Sequence, residues 1–357
     1  MRTLIIPCAG KSSRFPNMRP KWMLTHPDGR AMIDKAIDGI DKDSFDRIII
    51  TIVKEHDEKY EASLILKQVF SDNPKVEVCL LDSFTRSQSE TVYNTLVAMN
   101  VKGSFVVKDS DNQIMTQLPD ETKNFIVGYD IDIHRDVSSI PAKSFIIANE
   151  QNIIMDIVEK KVVSNVICLG IYGFSDAEIF KNAYLELTTL YSQKEMFLSH
   201  VISRLISKKD TVFELVYAKN YEDWGTLSEW HSTQEKFRTY FVDVDGVLMK
   251  NCGQYGSFNW DNNDVVLEEN VASLKKLQDD GGMIIITTSR PEKYRSSLLE
   301  MLSARGVKPY AVIMGVNHAR RVLINDFAPT NPYPSAVAIN ILLTTSSRSF
   351  VWIMCGV

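Results

Sequence analysis

The chain has 357 residues, which at roughly 150 residues per domain predicts two domains. Hydrophobic residues make up 45% and charged residues 24% of the sequence, a composition typical of globular proteins and not of disordered or fibrous ones. The 40 basic and 45 acidic residues give a net charge of −5, without a block of lysines and arginines. We therefore expect neither nucleic-acid binding nor attraction to anionic membranes, whereas a local basic pocket for one phosphorylated ligand remains compatible with these charges.

No apolar run reaches the roughly 18–20 residues that a membrane-spanning helix needs, and the apolar stretch before Pro7 is too short for a signal peptide. The cysteines are scattered and odd in number, with no C-x-x-C spacing, which predicts reduced thiols and neither a disulfide framework nor a zinc site. We expect a cytoplasmic protein without membrane insertion. The five cysteines are Cys8, Cys79, Cys168, Cys252 and Cys355.

The first two thirds of the chain alternate short apolar runs with longer helical patterns, and this alternation predicts a mostly parallel sheet covered by helices. The predicted strands are residues 3–7, 47–53, 76–81, 104–107, 125–129, 144–148, 152–158 and 166–172. The predicted helices are residues 57–70, 89–99, 176–185 and 194–206.

A polar connector is predicted at residues 228–238, and a second α/β pattern follows it. Its predicted strands are residues 239–242, 283–287, 311–314 and 322–325, and its predicted helices are 267–278 and 295–305. Residues 342–357 fit neither a helical nor a clean strand pattern. We place the two domains at residues 1–232 and 238–357.

The first candidate site follows the first predicted strand. There, a turn of small residues leads to Arg14 and then to Pro20-Lys21. Small residues let backbone N–H groups approach an anion closely, and the two cations add charge suited to a triphosphate. A plain strand-to-helix turn with two solvated cations is the alternative. The candidate phosphate-binding residues are Ala9, Gly10, Lys11, Ser12 and Ser13.

This string resembles the signature of the sugar-phosphate nucleotidyltransferases, in which a strand is followed by A-G-x-G-[ST]-R and then by P-K. Ser12 stands where that pattern has its second glycine. The resemblance extends over about residues 1–230 and implies a Rossmann-like domain with a GT-A-like mixed sheet. It also implies that Arg14 stabilises the transferred phosphoryl group and that Lys21 holds the phosphates of nucleotide and acceptor. Three dipeptides match: Ala9-Gly10, Ser13-Arg14 and Pro20-Lys21.

The segment 87–96 begins a predicted helix with small polar residues and resembles the base-binding segment of that family. The resemblance makes Gln88 a candidate for a base contact and Ser89 a candidate for a backbone contact. A simple helix cap, formed by Ser87 or Ser89 with Glu90 in the first turn, is the alternative.

Acidic residues follow the predicted strand 104–107, in the order Asp109-Ser110-Asp111-Asn112. Two carboxylates at i and i+2 of an extended chain end point to the same side, and Mg²⁺ prefers such oxygens and usually bridges substrate phosphates. Open α/β sheets also bind ligands at the carboxyl ends of their strands. Asp109 and Asp111 are therefore candidate metal ligands, with a plain polar turn as the alternative.

Two further segments resemble family motifs in the expected order. Residues 154–174 resemble an E-K segment followed by a G-[IV]-Y strand, which implies that Glu159 receives a sugar hydroxyl and that Lys160 contacts the acceptor phosphate. Residues 221–230 resemble the closing D-x-G-T motif. This implies that Asp223 is the second metal carboxylate and meets Asp111 across the site.

In the second domain, residues 239–251 form a predicted strand that runs into Asp243-Val244-Asp245-Gly246. This resembles the first motif of the haloacid-dehalogenase-like (HAD) hydrolases. The resemblance implies that Asp243 attacks a phosphoryl group, that Asp245 acts as general acid and base, and that both carboxylates face one phosphorus while Mg²⁺ screens their charge. A calcium-type loop is the alternative, although the further acids of an EF-hand are missing.

The segment 283–294 resembles the second HAD motif, in which Thr288, or Thr287 if the register shifts, would hold the phosphoryl oxygens beside Ser289 and Arg290. The segment 320–329 resembles the acidic fourth motif and implies that Asp326 is a third metal ligand. No lysine follows Lys308, so Arg320 or Arg321 would have to replace the phosphate-binding lysine of the family. The first two motifs lie close together in sequence, which predicts a small Rossmannoid domain with a minimal cap.

These patterns together predict a bifunctional, Mg²⁺-dependent enzyme. The first domain would transfer a nucleotidyl group from a nucleoside triphosphate to a phosphorylated sugar or polyol, with CTP favoured and UTP and dTTP open. The second would hydrolyse a phosphate monoester, and analogy suggests a role in capsular or other surface polysaccharide synthesis. Two alternatives remain: a non-catalytic, regulatory or oligomerising second domain, and a glycosyltransferase that uses the acidic pair of the first domain. Homo-oligomerisation is also left open.

Overall fold

The computed structural model describes residues 1–15, 18–134, 137, 140–189, 195–208, 211–262, 264–325 and 336–340. The chain divides into two units, Met1–Trp230 and His231–Val357. No helix in the described ranges is long and apolar enough to cross a membrane. Asp326 and residues 342–357, which figured in the sequence-based predictions, lie outside the described residues.

A nine-stranded mixed sheet forms the centre of the first unit. Its strands are β1 (Arg2–Pro7), β2 (Arg47–Val53), β3 (Val76–Leu81), β4 (Ser104–Lys108), β6 (Asn124–Asp130), β7 (Ser144–Ala148), β8 (Ile154–Glu159), β9 (Val166–Phe174) and β10 (Phe213–Tyr217), while β5 (Asn112–Met115) and β11 (Asn220–Asp223) form a separate pair. The order is β10-β6-β9-β4-β1-β2-β3, with β7 beside β9 and β8 beside β7. β1 runs parallel to β2 and β4, but β9 is antiparallel to β4 and β6, so the sheet is less uniformly parallel than the strand-helix alternation predicts.

The central strands are apolar on both faces because each face of the sheet carries its own core. In β1, the side chain of Ile5 packs into one core, whereas Leu4 and Ile6 pack into the other. This alternation follows from the two-residue period of a strand. Burying such a side chain contributes about 1.5–3 kcal/mol, which explains why continuous Ile and Val runs mark these strands in the sequence.

The helices of the first unit are α1 (Met32–Ala36), α2 (Lys54–Tyr60), α3 (Ala62–Val69), α4 (Gln88–Ala98), α5 (Ala177–Thr188), α6 (Leu198–Ser207) and α7 (Leu227–Lys236), and the unit boundary falls within α7. The prediction of one helix over 57–70 is wrong, because Glu61 adopts a left-handed conformation with φ of 53° and separates α2 from α3. The Asp57 carboxylate accepts from the backbone N–H of Ser63 at 2.7 Å and satisfies a donor at the start of α3.

The boundary between the two units falls within the predicted polar connector at 228–238, but most of this segment is the helix α7. Thr226 and Glu229 form a reciprocal cap: the Thr226 N–H donates to the Glu229 carboxylate at 3.0 Å, and the Glu229 N–H donates to the Thr226 hydroxyl at 3.3 Å. This T-x-x-E pattern is a known signature of a helix start, and it was present in the sequence. The helix α1 and the strands β5, β10 and β11 were not predicted either.

The second unit contains a parallel sheet of β12 (Thr239–Val242), β13 (Met283–Thr287) and β14 (Ala311–Ile313), with the helices α8 (Glu268–Asp279) and α9 (Arg295–Ala304). Val244, Leu274 and Ile286 lie in its core. The strand predicted at 322–325 is not formed, and Val322 and Ile324 are 72% and 92% exposed. Their apolar side chains have no covering element among the described residues, so burial does not fix them in a sheet.

Candidate functional site

A cavity of about 1030 Å³ lies beyond the ends of β1 and β4, at the edge where open α/β sheets bind ligands. Ala9 and Ser89, both predicted to bind substrate, are fully buried and do not line it. The remaining residues predicted for the first unit do line it: Gly10, Lys11, Ser12, Ser13, Arg14, Lys21, Gln88, Asp109, Asp111, Glu159, Lys160 and Asp223.

The loop after β1 contains a residue in glycine-like backbone geometry. Ser12 has φ of 49°, in the left-handed region that glycine adopts at no steric cost, and it stands where the nucleotidyltransferase pattern has its second glycine. Its carbonyl accepts from the N–H of Phe15 at 2.8 Å, and its hydroxyl accepts from the N–H of Lys21 at 3.4 Å. The serine thus keeps the turn and adds a link to Lys21.

Backbone pairing brings Asp111 and Asp223 together. Asp223 lies opposite Asn112 in the antiparallel pair of β5 and β11, and the Trp224 N–H donates to the Asp111 carbonyl at 2.9 Å. The two carboxylates converge at Gly225, where an added Cβ atom would lie 3.1 Å from Asp223 Oδ1 and 3.2 Å from Asp111 Oδ2. This is the meeting of acids that the resemblance implies.

Three of the cations that line the cavity lie beside this pair. Lys21 Nζ forms an ion pair with Asp111, and Lys143 Nζ forms one with Asp223. Arg14 Nη1 would lie 3.5 Å from the same Cβ position at Gly225. Lys143 was not predicted, because it stands alone after a short 3₁₀ turn and before β7, and no local motif marks it.

The two acids of the turn after β4 differ electrostatically. Burial disfavours ionisation of Asp111, but the charge of Lys21 and its hydrogen bond outweigh burial and hold the pKa of Asp111 at about 2. Burial, with the neighbouring charge of Asp111, raises the pKa of Asp109 to about 6. Asp109 accepts from the Gln88 amide and lies against Gly170, where a Cβ atom would overlap its carboxylate. Asp109 thus contacts Gln88 and Gly170, whereas Asp111 pairs with Lys21 and converges with Asp223. The role of Asp109 as a metal ligand stays a prediction.

The Asp111–Asp223 pair suits Mg²⁺. Among the described residues, no group of three or more His, Cys, Asp or Glu side chains could hold a metal ion. Mg²⁺, however, usually binds one or two carboxylates and takes its other ligands from water and substrate phosphates. The carboxylate oxygens of Asp111 and Asp223 converge in a cavity of about 1030 Å³, and this arrangement fits that mode of binding.

A buried lysine supports the acidic turn from inside the protein. Lys108 is 0% exposed, and its Nζ donates to the carbonyls of Asp109 at 2.7 Å and of Asn112 at 3.0 Å. Burial lowers its pKa to about 8. Its positive charge attracts Asp109 and Asp111 and reduces the repulsion between these two carboxylates. Sequence reasoning missed Lys108 because it ends a strand whose three central residues are apolar.

The start of α4 combines the two readings of its sequence. Ser87 is the N-cap, and its hydroxyl accepts from the N–H of Glu90 at 3.2 Å, as the helix-cap alternative predicts. The Ser89 hydroxyl donates to the Met196 carbonyl and holds the chain next to α6. Gln88 lines the cavity, so it alone of the two candidates is accessible to a base.

Glu159 and Lys160 occupy the other side of the cavity, at the end of β8. The Glu159 carboxylate accepts from the hydroxyls of Ser144 at 2.5 Å and Ser199 at 2.8 Å. Lys160 has φ of 51°, and its Nζ lies 4.2 Å from the centroid of the Phe197 ring. The predicted acceptor phosphate cation is therefore engaged with an aromatic face.

In the second unit, Asp243 follows β12 and Thr288 follows the adjacent parallel strand β13. The Asp243 carboxylate receives two hydrogen bonds of 3.1 Å from Arg321. This arginine is one of the two that the sequence suggested as replacements for the missing lysine. Thr288 is 0% exposed, and its hydroxyl accepts from the Arg290 N–H at 3.2 Å.

Asp245 is held by Arg290, whose side chain is 1% exposed. Arg290 donates to Asp245 Oδ1 at 2.8 Å and to Asp264 Oδ1 at 2.8 Å, and Trp260 Nε1 donates to Asp245 at 3.1 Å. Arg290 was predicted to bind substrate, yet its guanidinium is buried between two carboxylates. Ser289, beside it, is partly exposed.

No protein-family model matches the chain, and no curated protein matches it by sequence. Solved structures match it at low identity. A nucleoside-diphosphate-sugar pyrophosphorylase from Vibrio cholerae RC9 is 19% identical, with a TM-score of 0.53 over 64% of this chain and 98% of its own. An inositol-1-phosphate CTP transferase from T. maritima is 13% identical, with a TM-score of 0.50 over 65% and 94%. A UDP-glucose pyrophosphorylase, solved with UDP-glucose, is 14% identical, with a TM-score of 0.51 over 65% and 97%. Over 64–65% of its length, this chain shares the fold of these three proteins.

The likeness agrees with the mixed α/β fold that the resemblance implied for the first unit. At these identities it bears on the fold and not on the reaction. Because the matches cover 64% and 65% of the chain, the HAD-like interpretation depends on the residues of the second unit themselves.

Proposed function

We propose that the first unit transfers a nucleotidyl group from a nucleoside triphosphate, with CTP favoured, to the phosphate of a sugar or polyol. The observation that carries this proposal is the convergence of Asp111 and Asp223 beside Lys21 and Arg14 in one cavity. A glycosyltransferase would need an acidic pair but no triphosphate loop of this kind.

In this reaction an oxygen of the acceptor phosphate attacks the α-phosphorus of the triphosphate. A new P–O bond forms, the bond from the α-phosphorus to the bridging oxygen breaks, and pyrophosphate leaves with the bonding electrons. Arg14 and Lys21 neutralise charge on the phosphates, and the loop 10–14 supplies backbone N–H groups. Asp111 and Asp223 would hold Mg²⁺, which supplies charge neutralisation to the phosphates when it is bound. Catalysis of this kind is mainly positioning and electrostatic stabilisation.

The proposal is tested by incubating the full chain with each nucleoside triphosphate and a panel of sugar and polyol phosphates. Pyrophosphate and free phosphate are measured separately. We expect pyrophosphate release that needs an acceptor, is highest with CTP and is abolished by EDTA. Asp223→Asn should lose most of the rate, whereas Asp82→Asn, at a carboxylate that is 86% exposed, should not change it. Near-normal release from Asp223→Asn would remove Asp223 from the mechanism, and release without any acceptor would contradict the transfer reaction.

For the second unit we propose phosphate-monoester hydrolysis with Asp243 as nucleophile. Its support is the placement of Asp243 and Thr288 after neighbouring parallel strands, with Arg321 on Asp243 as a cation for the substrate phosphate. Asp326 remains a proposed metal ligand. The competing proposal is a non-catalytic module, which the engagement of Asp245 by Arg290 and Trp260 favours, because this carboxylate already has partners within the protein and would have to leave them to reach a phosphoryl group.

The two activities in one chain suggest one pathway, and we propose the supply of an activated sugar or polyol for capsular or other surface polysaccharide in the cytoplasm. This step rests on analogy. Identification of the acceptor in the panel is its first test, because an acceptor foreign to such polymers would contradict it.

A further inference from the structure

Lys143 is a cation of the cavity that no sequence motif marks. Its Nζ pairs with Asp223 and also donates to the Tyr221 hydroxyl at 3.0 Å. Its side chain is 17% exposed and lines the cavity together with Glu159 and Lys160. It therefore sits between one of the two converging carboxylates and the side of the cavity that the acceptor is proposed to enter.

Lys143 and Lys160 are neighbours in the backbone, but their ammonium groups have different partners. The Lys160 N–H donates to the Lys143 carbonyl at 3.1 Å, which fixes the two residues side by side. Lys160 Nζ lies 4.2 Å from the Phe197 ring centroid, whereas Lys143 Nζ contacts the Asp223 carboxylate. Of the two lysines, Lys143 is thus the one whose charge lies at the proposed metal carboxylates.

A divalent cation and Lys143 would compete for Asp223, because both are positive and both need its oxygens. Lys143 and Asp223 are both largely buried, so an ammonium displaced from this carboxylate is stabilised when another anion is within reach. The phosphate of the acceptor is a dianion that the proposed reaction brings into the same cavity, and the flexible lysine stem allows its charge to move over a few ångströms.

We propose that Lys143 is an exchangeable counter-ion. It neutralises Asp223 in the ligand-free protein, and it binds the phosphate monoester of the acceptor when a divalent cation occupies Asp223. The inference rests on the proposed nucleotidyl transfer and assigns the acceptor phosphate to Lys143, where the family resemblance implies Lys160. A purely structural role for Lys143 would predict the opposite effect on metal binding.

The test uses the full-length protein and two probes that do not depend on turnover. Mn²⁺ binding is titrated by electron paramagnetic resonance without substrate, and inorganic phosphate binding is titrated by calorimetry at saturating Mn²⁺. For Lys143→Met we expect Mn²⁺ to bind at least threefold more tightly, because its competitor is gone, and phosphate to bind at least tenfold more weakly. Lys161→Met, at an exposed lysine of the loop that follows β8, is the matched control and should change neither affinity.

Lys143→Gln also removes the charge and takes the place of Lys143→Met, with the same expected shifts, if Lys143→Met does not fold. Lys143→Arg keeps the charge and should retain both affinities within threefold. Weaker or unchanged Mn²⁺ binding in a folded Lys143→Met would overturn the exchange, as would unchanged phosphate binding. If both shifts occur but no nucleoside triphosphate yields pyrophosphate, the proposed transfer fails and the counter-ion exchange stands. If pyrophosphate is released and neither shift occurs, only the exchange fails.

Discussion

The backbone N–H of Trp224 donates to the carbonyl oxygen of Asp111 at 2.9 Å. This bond extends the antiparallel pairing in which Asp223 faces Asn112, so backbone geometry brings together two carboxylates that lie far apart in sequence. A register slip of one residue between β5 and β11 would turn one carboxylate to the other face of the pair. The position of the candidate metal site is therefore set by strand pairing, and Lys21 and Lys143 form ion pairs with the carboxylates placed there.

Gly225→Ala tests the convergence of the two acids. The added methyl group would lie 3.1 Å from Asp223 Oδ1 and 3.2 Å from Asp111 Oδ2, where a shared cation would have to sit. We expect Mn²⁺ affinity to fall at least tenfold, with the thermal unfolding temperature changed little. Gly10→Ala adds the same methyl group where no atom lies within 4 Å, and its Mn²⁺ affinity should equal that of the parent. Equal affinities in both variants would show that the carboxylates do not share a cation.

Lys21→Ala removes the ammonium that pairs with Asp111. Loss of one preorganised charge contact should cost about 3–4 kcal/mol of transition-state stabilisation, which appears as a 10²–10³-fold fall in kcat. Arg14→Ala should behave similarly. The control is Arg19→Ala, at an exposed cation of the same loop, which should keep the parent rate. A rise in KM with kcat intact would mean that Lys21 only binds substrate.

Much of the first site could be predicted because its residues belong to short local strings. Three short segments can be recognised from neighbouring residues alone, and each lies at the end of a strand. They are the small-residue loop after β1, the acids after β4 and the D-x-G-T turn at the end of β11. Lys143 and Lys108 could not be found in this way, because their roles come from partners in other segments or from burial at the end of an apolar strand. Sequence patterns describe periodicity and spacing, and neither reports which carboxylate a lone lysine reaches.

The fold was predicted best where strands are fully buried. The strands β1, β2 and β4 fill both cores and read as continuous apolar runs, whereas the pair β5 and β11 is short and mixed in polarity. The break at Glu61 lay inside a helical pattern that periodicity alone continues. The start of α7, by contrast, was readable from the Thr226–Glu229 spacing.

Asp243→Asn tests the proposed hydrolase. The amide keeps the volume of the side chain but removes the attacking anion, so phosphate release should vanish. Pyrophosphate release should continue, because the site with Asp111 and Asp223 in the first unit is unchanged. The parent protein on the same substrate panel is the reference. Absence of phosphate release in the parent favours the non-catalytic module, and loss of both activities in the variant would contradict two independent sites.

Arg290→Met tests whether the buried guanidinium holds the second unit together. The substitution leaves Asp245 and Asp264 without their shared partner. Breaking a fully buried ion pair lowers the free energy of unfolding by about 3–5 kcal/mol, and the loss here should be smaller because Asp264 is 31% exposed. Hydrogen exchange followed by mass spectrometry should show faster exchange in β12 and β13. Lys293→Met, at a side chain that is 64% exposed, is the control and should exchange like the parent. Adding Asp245→Asn to Arg290→Met should recover part of the protection, whereas a purely additive loss would contradict the pairing.

Asp28 lies in the turn that precedes α1, and it should make the stability of the first unit depend on pH in the acid range. The Asp28 carboxylate accepts from the Arg30 N–H at 3.1 Å and pairs with Lys35 at 3.2 Å and with His26 at 2.9 Å. Burial disfavours its ionisation, but these hydrogen bonds outweigh burial and hold the pKa of Asp28 well below its ordinary value of 3.8. Below pH 4 the unfolded chain therefore binds more protons at this group than the folded protein does. The stability that Asp28 contributes is present above pH 4 and is lost as the pH falls towards its folded pKa.

Asp28→Asn should accordingly lower the free energy of unfolding of the first unit by about 1–2 kcal/mol at pH 7, in line with the loss of a partly exposed, charge-assisted contact. The difference from the parent should shrink between pH 4 and pH 2. Urea titrations at several pH values can be followed by tryptophan fluorescence, because the His26 ring lies 5.4 Å from Trp224 and 6.1 Å from Trp230. Asp43→Asn, at a side chain that is 99% exposed, is the control and should stay within about 0.5 kcal/mol of the parent at every pH. If the Asp28→Asn difference is the same at pH 7 and pH 2, the carboxylate stabilises the turn through its shape and not through its charge.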